Sequence, residues 1–200
     1  MTPIMMQPQL PKDGRIQYIP AALDPDKATV LFDHLMETLP WQPDELIMFG
    51  KRILTQRRVV WVGDPEYCYT YSGIKRVPQP WTAALLSTRR FVEDLAGCTF
   101  NACLINLYHN GHEGMGWHSD DEVELDPSAP IASLSLGGAR KFALRHKQHK
   151  TRLALKLEHA SLLIMYPPTQ RYWSHSLLKT RVPVPARINL TFRRLLSAPV

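Results

Sequence analysis

Cysteine is scarce in this 200-residue chain: Cys68, Cys98 and Cys103 are odd in number, and no pair has the spacing C-x-x-C. A disulfide framework and a zinc knuckle are therefore excluded, and reduced thiols are expected. No apolar run approaches the roughly 20 residues that a membrane-spanning helix needs. The opening stretch MTPIMMQPQLPKDGR has no basic region followed by a long apolar run, so it does not read as a secretory signal. A soluble, cytoplasmic protein without a membrane partner is the expectation, and the chain contains no internal repeat or low-complexity tract. Acidic residues are outnumbered, 18 Asp and Glu against 24 Lys and Arg, giving a net charge of +6 and a pI near 9.3. That balance favours polyanionic partners such as nucleic acid, although a merely well-solvated surface has the same composition.

With 44% hydrophobic residues, the chain suits one domain with a real core. Residues 1–14 are Pro- and Gln-rich without periodicity and read as a flexible tail, leaving 15–200 as a single domain. Asp24-Pro25 supplies an N-cap and a proline at the first helical position. Val30, Leu31, His34, Leu35 and Leu39 then recur at helical spacing and predict an amphipathic helix ending before Pro40. Between Leu46 and Tyr71 the runs LIMF, RVVWV and YCYTY predict a small sheet or set of hairpins. A second helix is predicted over 82–96, closed by Gly97. Beyond it NACLINLYH, IASLSLG, KFALR, RLALKLE, SLLIMY and ARINLTFRR all read as strands, predicting a mainly β sandwich or barrel with flanking helices.

The chemistry concentrates in NLYHNGHEGMGWHSD, residues 106–120. His118 and Asp120 stand at i and i+2, so in an extended chain both project to one side. His175, in RYWSHSL, offers a third donor. Two imidazoles and one carboxylate are the facial set of non-haem Fe(II), and they also occur in catalytic zinc sites. Arg187 lies in an apolar strand pattern, where a guanidinium needs an anionic partner.

The ordered set Asn106-x-Tyr108, His118-x-Asp120, His175 and Arg187-x-Asn189-x-Thr191-Phe192-Arg193 resembles the AlkB family of Fe(II)- and 2-oxoglutarate-dependent nucleic-acid dealkylases. The resemblance runs from about Phe32 to Leu195. FGK at Phe49 to Lys51, TYSG at Thr70 to Gly73, HSDDE at His118 to Glu122, PIAS at Pro130 to Ser133 and RHK at Arg145 to Lys147 bring it closest to the subgroup that includes the animal DNA-repair members. It implies a double-stranded β-helix, or jelly roll, over 98–200, with an N-terminal α/β nucleotide-recognition lid at 44–80. It also implies a monomer that uses Fe(II), 2-oxoglutarate and O2 to demethylate N1-methyladenine and N3-methylcytosine in DNA or RNA. Succinate, CO2 and formaldehyde would be the other products. A related oxygenase of proteins or small molecules, and a non-catalytic nucleic-acid binder, are the alternatives.

Carried over residue by residue, the resemblance makes His118, Asp120 and His175 the metal ligands and the catalytic centre. Arg187 would pair with the distal carboxylate of 2-oxoglutarate and Arg193 would stand near its metal-end carboxylate. Asn106, Tyr108 and Thr191 complete that pocket, supported by Asn189. Tyr69 and Tyr71 alternate along a strand and offer an aromatic platform, flanking Thr70, and Tyr71 with His118 would sandwich a flipped base. Phe49 matches the apolar wedge that fills the gap in the duplex, beside Gly50, with Lys51, Arg57 and Arg58 as phosphate contacts. For all three aromatics, buried core is the competing reading. Asp121 and Glu122 can complement a cationic base or belong to a solvated acidic loop running through Glu124 and Asp126. Trp173, beside the distal ligand, is expected to line the pocket, and the other histidines are read as surface or structural. Only QHKT separates Arg145-His146-Lys147 from the next strand, where duplex-acting members carry a longer basic loop, so a single strand is as compatible a substrate as a duplex.

Overall fold

The computed structural model describes residues 10–48, 51–67, 69–71, 74–76 and 78–196. Phe49 and Gly50, and the side chains of Lys51, Tyr69, Thr70 and Tyr71, lie outside the described residues. The chain begins with β1 (Arg15–Ile19), α1 (Pro25–Thr38), β2 (Gln42–Met48), β3 (Lys51–Gly63), β4 (Tyr69–Tyr71), β5 (Ile74–Arg76) and α2 (Ala83–Ala96). It continues with β6 (Ala102–Tyr108), β7 (Met115–His118), β8 (Ile131–Gly137), β9 (Arg140–His146) and β10 (Arg152–Leu157). β11 (Ser161–Tyr166), α3 (Thr169–Tyr172), β12 (Trp173–Leu177) and β13 (Arg187–Arg193) complete it.

A seven-stranded sheet in the order β1-β11-β8-β13-β6-β3-β2 faces a four-stranded sheet in the order β10-β9-β12-β7, and β4 and β5 pair separately. The pairings are antiparallel, which makes the fold a jelly roll. Both faces of the larger sheet are covered, so its central strands lose the apolar-polar alternation of a half-exposed strand. On β13, Ile188, Leu190 and Phe192 face the helices, where they pack with Cys103, Ile105 and Leu107 of β6 and with Leu35, Leu85 and Val92. The opposite face turns Arg187, Asn189, Thr191 and Arg193 inward between the sheets. Polar side chains are thus delivered to the middle of the protein by strands whose other face is pure core.

The local signals of both helices are realised. Asp24 Oδ1 accepts from Lys27 N at 3.1 Å, and α1 stops at Thr38. Thr82 Oγ1 accepts from Leu85 N at 3.3 Å, and Gly97 closes α2 in the left-handed region at φ 64°. Val30 departs from its expected place on the α1 core face: it is exposed, and Ala28, Leu35 and Leu39 do the packing.

Two other expectations change. The predicted small sheet around residues 46–71 is not self-contained, because β3 pairs with β6 and extends the larger sheet. The run RVVWV explains this: Val60 and Val62 pack toward the helices while Val59 and Trp61 pack between the sheets, as in an interior strand. Where the expected tail is described, from Leu10 onward, it is packed: Leu10 is buried in the inter-sheet core, and Trp173 Nε1 donates to Lys12 O at 3.0 Å. Among the described residues no helix is long and apolar enough to cross a membrane.

Candidate metal centre

The smaller sheet brings the two imidazoles together. His175 on β12 is the register partner of His118 at the end of β7, so the side chains stand opposite each other on one face. Their ring centroids are 4.3 Å apart. Asp120, just past the end of β7, places Oδ1 3.7 Å from His118 Nε2. One donor atom from each of the three residues lies within 4.8 Å of the others.

The protonation states suit a cation. His118 Nδ1 is 2.9 Å from Gly116 O, and since a carbonyl only accepts, Nδ1 carries a proton and Nε2 is the nitrogen left to serve as a metal donor. Burial drives the His175 pKa down to about 3, outweighing the attraction of Asp120, so this ring is neutral. Burial raises the Asp120 pKa, but the Arg193 guanidinium and the two imidazoles outweigh it and bring the value to about 2. Arg193 NH2 donates to Asp120 Oδ1 at 2.9 Å in a buried ion pair. Two imidazoles and an anionic carboxylate are the donor set that non-haem Fe(II) takes.

The same cavity holds Arg187, only 2% exposed. Its NH2 donates to Ser135 Oγ at 3.0 Å and Asn189 Oδ1 at 2.6 Å, while its buried Nε has no partner. Among the described residues no carboxylate lies within ion-pair distance of it. Burial lowers its pKa to about 10, so at neutral pH it is still a cation in want of an anion. Tyr108 is its register partner, with the ring centroid 5.6 Å from Cζ. Asn106 Oδ1 is likewise buried without a partner. Asn189 Oδ1 also accepts from Ser133 Oγ at 2.9 Å, and Asn189 Nδ2 donates to Thr191 Oγ1 at 2.7 Å. Asn189 therefore holds Arg187 in place.

Other expected residues separate. Arg57 is not at the surface: it is 4% exposed, ion-paired with the buried Asp44, and NH1 lies 2.8 Å from Met115 Sδ. A guanidinium neutralised inside the protein is no phosphate contact. Trp173 is core under the N-terminal segment and does not line the cavity. Asp121 is exposed and pairs with Lys147 Nζ at 3.1 Å. Glu122 is half-buried, and its Oε2 has no partner. Both border a second cavity of about 430 Å³ that Asp120 and Arg193 also line. Asp13, His146 and His149 form another cluster of donor atoms. There, however, His146 Nδ1 accepts from the amides of Gln148 and His149, which puts the ring proton on Nε2 toward Asp13 and leaves no lone pair for a metal. Sequence reasoning missed Ser133, Ser135 and Gln170. The alternating serines of IASLSLG were a legible signal for the first two.

The 2OG-Fe(II) oxygenase superfamily pattern matches residues 15–193. The chain belongs to this superfamily. Mouse DNA oxidative demethylase ALKBH2 is 42% identical over 158 residues, which cover 74% of this chain and 66% of that protein. Bovine alpha-ketoglutarate-dependent dioxygenase alkB homolog 3 is 35% identical over 196 residues, 93% of this chain and 68% of the relative. The chain spans about three-fifths of the length of human ALKBH2, 60%, at 41% identity. Among solved structures OsALKBH1 superposes with a TM-score of 0.63 at 18% identity, covering 93% of this chain and all of that one. A 2OG-Fe(II) family oxidoreductase from Burkholderia pseudomallei gives 0.61 at 14%, covering 92% and 87%. At such identities the superpositions speak for the superfamily fold alone.

Proposed function

We propose that the protein is an Fe(II)- and 2-oxoglutarate-dependent dioxygenase that removes methyl groups from N-alkylated bases in DNA, with RNA as a further substrate. The observation that carries this is Arg187, a buried guanidinium without a carboxylate partner, facing the cavity that His118, Asp120 and His175 line. The relatives named DNA oxidative demethylases support the choice of substrate. The bound iron supplies the oxidising chemistry: 2-oxoglutarate and O2 are converted to succinate and CO2, and the methyl group leaves as formaldehyde.

The residues supply orientation. The Arg187 fork holds the distal carboxylate of 2-oxoglutarate, kept in plane by Ser135 and Asn189, while Asn106, Tyr108 and Thr191 complete the pocket. Arg193 keeps Asp120 ionised and aimed. N1-methyladenine and N3-methylcytosine carry a fixed positive charge, and the unpartnered Oε2 of Glu122, near Asp121 at the second cavity, supports recognition of such a base. By the family resemblance, residues 44–80 serve as the nucleotide-recognition lid, with Phe49 as the wedge, Lys51 as a phosphate contact, Tyr71 and His118 as the pair that sandwiches the flipped base, and Gly50, Tyr69 and Thr70 as further substrate contacts. Cys98 and Cys103 are free, as in a reducing compartment, and the protein is read as a cytoplasmic monomer.

The test is mass spectrometry of short methylated oligonucleotides, single- and double-stranded, incubated with protein, Fe(II), ascorbate and 2-oxoglutarate. Each lesion should lose the mass of one CH2 group, with succinate formed in step. Succinate formation driven by a peptide and indifferent to the oligonucleotide would overturn the assignment.

A further inference from the structure

Asp120 lies beyond the last residue of β7, so no sheet ladder fixes its backbone. Its peptide N–H donates instead to Gln170 Oε1 at 3.0 Å. Because a peptide nitrogen only donates, the atom facing it must be the amide oxygen. Gln170 Nε2 is accordingly left to Met165 Sδ, 3.4 Å away. Gln170 belongs to α3, the turn that leads directly into β12 and His175. The same two segments are joined twice more. Ser119 Oγ donates to Trp173 O at 3.0 Å, and Lys147 Nζ bridges Asp121 Oδ2 at 3.1 Å and Gln170 O at 2.9 Å. Of these contacts only that of Gln170 acts on the backbone of the ligand itself.

We propose that Gln170 is a positioning residue for metal binding, its amide oxygen holding the Asp120 peptide so that the carboxylate meets His118 and His175. The loop carrying one ligand is thereby indexed to the turn that launches another, and the site is set before a metal arrives. Residues that orient ligands in this way commonly tune metal affinity by about 10–100-fold. The inference rests on the metal-centre reading above.

The test is anaerobic titration of the apo protein with Co(II), followed by its d–d absorption. Gln170→Leu fills a similar volume without an acceptor, and Gln170→Glu keeps an acceptor at the same reach. The leucine variant should bind Co(II) about 10–100-fold more weakly, with a shifted band, while the glutamate variant stays close to wild type. Urea unfolding of each apo variant identifies a folding defect. Should Gln170→Leu fail to fold, Gln170→Met, of matching shape and also without the carbonyl, is titrated in its place. Wild-type affinity in the acceptor-less variant would overturn the proposal, and so would equal losses in the leucine and glutamate variants. Failure of the wild-type protein itself to take up Co(II) would instead sink the metal-centre reading on which the proposal rests.

Discussion

Replacing Arg187 by methionine separates binding from stability more sharply than any other change to the site. The variant keeps an unbranched apolar stem but removes the guanidinium. In the free protein that group makes two hydrogen bonds, to Ser135 Oγ and Asn189 Oδ1, and has no counter-ion among the described residues. Losing two hydrogen bonds costs about 2 kcal/mol, whereas replacing a buried unneutralised charge by an apolar group of similar volume returns a comparable amount. The apo stability should therefore move by no more than about 1 kcal/mol, either way. Binding of 2-oxoglutarate should behave differently. A buried fork-to-carboxylate contact is worth about 3 kcal/mol or more, which weakens the co-substrate at least about 100-fold. The assays are urea unfolding of the apo protein and anaerobic calorimetry of 2-oxoglutarate with the Mn(II)-loaded protein. In turnover, KM for 2-oxoglutarate should rise while kcat at saturation changes little, the signature of lost uniform binding. A variant that unfolds readily yet binds 2-oxoglutarate normally would show that Arg187 is a structural residue and not the co-substrate's anchor.

Asp120→Ala should abolish turnover and, by breaking the buried pair with Arg193, cost about 3 kcal/mol of stability in denaturant unfolding; unchanged stability would contradict the pair's burial. Arg57→Ala should destabilise by about 3–5 kcal/mol through Asp44 while the salt dependence of oligonucleotide binding keeps its slope. A slope shallower by about one, with stability intact, would restore Arg57 as a phosphate contact. Gly97→Ala should cost about 1 kcal/mol, all of it backbone strain, since a Cβ there meets nothing within 4 Å; a thermal midpoint equal to wild type would show that the α2 cap relaxes freely. In the apo protein the folded-state pKa of His175 lies below the unfolded value, so the unfolded chain takes up the proton first. Stability should fall as pH drops from about 6.5 toward 3, and His175→Gln should flatten that fall.

Signals that act within a few residues of chain were legible directly. The caps at Asp24, Thr82 and Gly97 set helix limits because a cap bonds its own first or last turn. The spacing of His118 and Asp120 put two donors on one side of the chain, and the order of motifs nominated His175 and Arg187. What a side chain meets across the fold was not legible in this way. Arg57 reads as one of several surface cations, and only the approach of Asp44 and Met115 makes it an interior residue. Trp173 shares a strand with His175, but the N-terminal segment covers it and turns it into core.

The sequence by itself determined which segments after Gly97 are strands, where the helices begin and end, and which donor types were available for a metal. Only the tertiary structure decided that the β7–β12 register sets His118 against His175, that Arg187 is buried without an anion, and that Gln170 reaches the Asp120 backbone. The physical reason is one of range. Backbone propensity and capping are settled by neighbours along the chain, whereas ionisation, burial and ligand geometry depend on partners that the antiparallel pairing of distant strands brings within a few ångströms.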